Sequence, residues 1–146
     1  MSKSNTFEND LLLLLFNNTA IANIGDAGGI LGSAAAGSLY LSLHTADPGE
    51  TGTAVTSETA YTGYARQALA RSGSGFTVTG NSVSPAANVD FPECTALPGA
   101  AITHFGVVNT SSGAGKLLYS GTVSPNITMA AGVIPRLKST STITED

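Results

Sequence analysis

The chain has 146 residues, enough for one domain that buries roughly two thirds of its unfolded surface and short for two. Only 11% of its residues are charged, and six Lys and Arg stand against ten Asp and Glu for a formal charge of −4. No basic field is present to draw in phosphate backbones, so nucleic acid is set aside as a partner. A single cysteine, Cys94, excludes an intrachain disulfide framework and a four-thiolate zinc site.

The first ten residues hold Lys3 with Glu8 and Asp10, and the apolar run Leu11–Phe16 that follows is too short for a signal core or a membrane span. The expectation is a protein made in the cytosol that does not enter a membrane. Asn5 with Glu8 three residues on resembles a capping box, and the leucine block predicts a helix over Thr6–Asn17. Five consecutive leucines ring a helix with apolar surface, so burial on several sides is expected, by the sheets or by a neighbouring subunit. From Asn23 to Ser38 small residues without a period read as loop.

Beyond Ser38 the texture changes to short alternating runs separated by Gly, Pro, Asn and Ser clusters, the pattern of an all-β chain. Strands are expected at Leu39–His44, Ala65–Ala70, Phe76–Thr79, Asn88–Phe91, Ile102–Val108, Lys116–Thr122, Ile127–Met129 and Ile134–Ser141. The turn at Ala46–Gly49 has Pro48 to preset φ. About eight short strands suggest a β-sandwich or jelly roll, because two sheets closed face to face limit exposed edges. The predicted organisation is one domain, with a helical and loop arm over 1–38 and the sandwich over 39–146.

Chemistry is sparse. His44 and His104 fall in predicted strands and could meet across a sheet with Asp47 as a metal site, although two satisfied structural histidines explain them as well. Ser111–Lys116 lacks the first glycine of a phosphate loop, with Thr110 in its place, and Leu117 stands where Ser or Thr is needed, so a hairpin turn is expected. Gly25–Gly32 has glycine density without dinucleotide-loop spacing, and Ser74 lacks the flanking glycines of a nucleophile elbow. Cys94 beside Glu93 has no electropositive surrounding to activate it. The Asn-x-Ser/Thr patterns at Asn17, Asn109 and Asn126 carry no meaning without a secretory signal. No enzyme, cofactor or metal is predicted. Tyr61–Arg66 places Tyr61, Tyr64 and Arg66 on one short segment, residue types enriched at protein interfaces. They could equally close the end of the core. With Leu13 and Leu14 of the helix they are the candidate interface residues, and the chain reads as a subunit of an assembly.

The string Leu39–Thr53 followed by Glu58–Arg66, with Asn81–Pro85, His104–Val108, Gly113–Gly121 and Pro125–Ile127, resembles a family of small tailed-bacteriophage virion proteins. Members are labelled tail fibre or minor tail proteins, and jelly-roll proteins of similar size serve as cement on phage capsids. The resemblance implies a virion component, made in the host cytoplasm, without catalytic residues. The first expectation is a capsid cement or decoration protein, a dimer or trimer bound to the major capsid protein. The alternative is a tail or tail-fibre subunit whose loops at Asp47–Ser57 and Gly73–Gly75 meet tail proteins or a host receptor.

Overall fold

The computed structural model describes residues 2–146. One helix, α1 (Asn5–Asn17), precedes nine strands: β1 (Ser38–His44), β2 (Gln67–Ala70), β3 (Phe76–Thr79), β4 (Ser82–Pro85), β5 (Val89–Asp90), β6 (Ile102–Val108), β7 (Leu117–Ile127), β8 (Arg136–Leu137) and β9 (Ile143–Thr144). The fold is mainly β, as expected, with antiparallel pairing throughout the registers that follow. The strands form a four-stranded sheet in the order β2-β1-β6-β7, a three-stranded sheet β3-β4-β9 and the pair β5-β8.

The chain separates into two compact units, and one of the boundaries between them falls after Ser38. The first unit gathers the residues up to Ser38 with Leu69–Asn88 and Lys138–Asp146; the second holds Leu39–Ala68 and Val89–Leu137. Residues up to 38 thus share a unit with two later segments of the chain.

In the first unit the helix begins one residue earlier than expected and is capped by a different side chain. Ser4, in extended backbone, accepts the Phe7 N–H on its hydroxyl, and the Glu8 N–H bonds the Ser4 carbonyl. Ser is among the preferred capping residues because its short hydroxyl reaches an otherwise unpaired N–H of the first turn. The helix stops at Asn18, left-handed at φ 56°, one of the few residues besides Gly that tolerates that region. Within this chain the leucine ring is only partly enclosed. Glu8, Leu12 and Phe16, spaced by four, are buried, while Leu11, Leu13, Leu14 and Leu15 are half-buried. One stripe faces β3 and β4, and Phe16 meets Phe76 edge to face at 4.9 Å. β3 and β4 form a hairpin in which Thr79 pairs with Ser82, turned by Gly80 at φ 58°. β4 then pairs with β9.

In the second unit β1 and β6 pair from Tyr40–Val108 to His44–His104. Leu41, Leu43, Phe105 and Val107 are buried on one face, and Ser42 and His44 on the other, so the central strands are covered on both sides. Gly106 makes that possible, because a Cβ there would lie 2.7 Å from the Ser42 hydroxyl and 2.8 Å from His44 Nε2. β6 and β7 form the hairpin expected around Gly113, joining Val108 to Leu117. The two strands expected at 116–122 and 127–129 are one strand, with an irregular stretch where Ile102 and His104 face Ile127 and Thr122.

Candidate functional site

The segment after β1 doubles back beside that strand. Thr45 N–H bonds the Ser57 carbonyl and Thr59 N–H the Leu43 carbonyl, which sets Glu58 against His44 in an isolated bridge. Tyr61–Tyr64 then reverses direction: the Tyr64 N–H bonds the Tyr61 carbonyl, and Gly63 at φ 102° occupies the third position, the geometry that favours Gly in a type II turn. A side chain at Gly63 would also strike the Glu93 carbonyl at 2.6 Å. The outcome of this turn is that Arg66 returns to face Glu58.

Arg66 is 8% exposed and its guanidinium is fully engaged. Nε donates to Glu58 Oε1 at 2.7 Å and Nη2 to Oε2 at 2.7 Å. Nη1 donates to the carbonyl and hydroxyl of Thr110, and Nη2 also to the carbonyls of Ala54 and Gly113. A planar fork with five N–H groups suits this, since the carboxylate takes two and the other three are shared among three carbonyls and the Thr110 hydroxyl. The Glu58 hydrogen bond holds the Arg66 pKa above its ordinary value, against desolvation. Tyr64 completes the network: its hydroxyl donates to Glu58 Oε1 at 2.9 Å and accepts the Leu43 N–H. Burial raises the Tyr64 pKa, and it pushes Tyr61 up to about 12.

The candidate interface residues thus have inward tasks. Tyr61 is 2% exposed and donates to the Pro92 carbonyl at 2.7 Å. Tyr64 is half-buried, packed edge to face on Tyr61 and stacked on Phe91. What these residues offer to solvent is a cleft of about 420 Å³, with Glu58, Tyr64 and Arg66 in its wall and the exposed Ser111–Gly113 tip on its rim. Thr59 also lines it, and its hydroxyl is buried without a hydrogen-bond partner. Leu13 and Leu14 lie elsewhere, half-buried on α1 in the first unit.

His44 and His104 do face each other in register, yet His44 has both ring nitrogens occupied. Nδ1 donates to the Thr56 carbonyl at 2.8 Å, which fixes the tautomer, and Nε2 accepts from the Ser42 hydroxyl at 2.8 Å. Asp47 is spent on the Gly49 N–H in the following turn. Among the described residues, no group of three His, Cys, Asp or Glu side chains is placed to hold a metal ion. The Ser42–His44–Thr56 relay was not anticipated, although Ser and His two apart on a strand share a face. It has the hydrogen-bond order of a hydrolytic dyad, but Ser42 and His44 are both fully buried, so no substrate reaches the hydroxyl. Burial lowers the His44 pKa, outweighing the Thr56 hydrogen bond and Glu58, and the ring is a neutral strut. Cys94 is likewise buried. No described helix is long and apolar enough to cross a membrane.

The site therefore gathers loops and presents hydroxyls and carbonyls above a self-satisfied ion pair. A family model described as podophage GP4 fiber I protein gp80 matches residues 2–144. No curated protein matches the chain. With almost the whole sequence covered, the chain belongs to the gp80 family of podophage fibre proteins.

Proposed function

We propose that this virion structural protein is a tail-fibre subunit that takes part in host adsorption. The observation that carries this reading is the fibre-family match over residues 2–144. It favours the tail alternative over the cement role, and tail components and further copies of the chain over the major capsid protein as partners.

The architecture supports an adsorption role without chemistry. Arg66 ties Ala54, Glu58, Thr110 and Gly113 to one guanidinium, so the 45–58 segment and the 109–116 hairpin tip are held as one platform. Preorganised loops lose less entropy on binding than mobile ones. The exposed hydroxyls of Ser111 and Ser112 beside the cleft form the contact surface of this reading. The function is binding, with no catalytic residue.

Immunogold electron microscopy of intact particles tests it, with antibody against the purified chain. Label on tail fibres is expected, together with slower adsorption of particles pre-treated with the monovalent antibody fragment. Label spread over the head would overturn the proposal and restore the cement role.

A further inference from the structure

We propose that His44 is an acid-released latch on the turn at 55–57, which returns beside the end of β1. The ring occupies the last position of that strand and is fully buried. Its Nδ1–H holds the Thr56 carbonyl, and the N–H and hydroxyl of Thr45 both hold the Ser57 carbonyl next to it. Ser57 is left-handed at φ 54°, a region that residues other than Gly, Asn and Asp seldom adopt and keep only where their surroundings impose it. The turn is therefore strained, exposed at Val55 and Ser57, and fastened by two neighbouring residues of one strand. On either side of it Arg66 grips Ala54 and Glu58, and a guanidinium keeps its charge throughout the working pH range. Those two points act as hinges for the stretch between them.

A proton on His44 undoes the fastening in two ways. Nε2 accepts the Ser42 hydroxyl proton; once protonated it can only donate, and the fully buried Ser42 hydroxyl loses its acceptor. The charged ring is also poorly balanced by the groups around it. Glu58, bridged to His44 from the returning segment, is already paired twice with Arg66. Arg66 brings a second positive charge, and His104 stands opposite in register on β6. Tyr64, on the same carboxylate, stays neutral because burial raises its pKa, and β7 has no charged residue. Burial pushes the His44 pKa down; the Thr56 hydrogen bond and Glu58 oppose that, while Arg66 and His104 add to it. Lifting 55–57 admits water to the ring, so the open form takes up a proton near the ordinary imidazole value of 6.5 and the closed form only below it. The closed form is fully favoured above that value and loses ground as the pH falls. The inference stands apart from the adsorption reading, since it concerns one turn and one ring whatever the chain binds.

Amide hydrogen exchange of the intact chain, followed by NMR, tests it, read as protection factors so that the intrinsic pH dependence of exchange is removed. From about pH 7 to about pH 5, largely above the range where ordinary carboxyls titrate, the Thr45 amide is expected to lose protection. The loss reaches up to about tenfold per pH unit, the limit for one proton, while Phe105–Val108 of β6 keep their protection. His44→Asn retains an N–H for the Thr56 carbonyl and does not titrate, so its Thr45 protection is expected to be constant over that range. His104→Asn is expected to keep the wild-type slope. A wild-type change at Thr45 below about twofold overturns the proposal, as does a parallel loss in β6 or a slope that persists in His44→Asn or disappears in His104→Asn. The wild type and His104→Asn decide the matter even where His44→Asn does not fold.

Discussion

Two arginines five residues apart, Arg66 and Arg71, stand on either side of β2 and solve the same problem differently, one in each unit. Arg66 is almost fully buried and faces a carboxylate. Arg71 is half-buried and works on carbonyls: Nε donates to Leu15, Nη2 to Leu14 and Nη1 to Ala36, with the Ser33 hydroxyl beside it. The Leu14 and Leu15 carbonyls lie in the last turn of α1, where the helix dipole is negative and no basic residue of the helix itself is present. A cation that keeps contact with water can be held by dipoles. One removed from water needs a full countercharge, because its desolvation is several times larger.

Breaking the buried pair has the largest expected effect. Glu58→Ala leaves Arg66 uncompensated and should lower stability by about 3–5 kcal/mol, read from urea denaturation. A loss below about 1 kcal/mol, the range of exposed pairs, would mean that the guanidinium is held by carbonyls alone, as Arg71 is. Arg71→Ala should cost about 2 kcal/mol through its lost charge-assisted bonds, with reduced helical ellipticity. Unchanged ellipticity would show that the Asn18 cap suffices to end the helix. Arg136→Ala is the smallest. Arg136 bonds Asp90 bidentately across β5 and β8, but both side chains are about half exposed, and only a slight loss is expected at neutral pH. Arg136 holds the Asp90 carboxyl below its ordinary value of 3.8. That contribution is present above the ordinary value and fades as the pH falls below it, so the variant should show a slightly flatter acid limb.

How much of this was legible follows the range of the interactions. β3 and β6 are found at their predicted bounds because alternation in Phe76–Thr79 and the β-branched and aromatic residues of Ile102–Val108 are local signals. β4 was missed since Ser82–Pro85 is short and ends in proline, and its strand character comes from β3 and β9 on its two sides. The helix is visible in its leucines, whereas which of its faces this chain covers is a tertiary property that no local pattern gives. At the site, Tyr61, Tyr64 and Arg66 stood out by residue type. Their inward direction depends on Gly63, whose positive φ turns Arg66 towards Glu58, and on Thr110 and Gly113, more than forty residues on. No sequence window contains those partners together.

Engaging arginines internally also shapes how the particle meets a changing medium. Arg66, Arg71 and Arg136 direct their guanidinium groups at carbonyls and carboxylates of the same chain. The exposed Ser111–Ser112 tip and the outer face of β7 offer hydroxyls and amides instead. Contacts made by such groups release few counterions, so their strength varies little with ionic strength. Under the proposed adsorption role, binding through such a surface should change little between dilute water and brine.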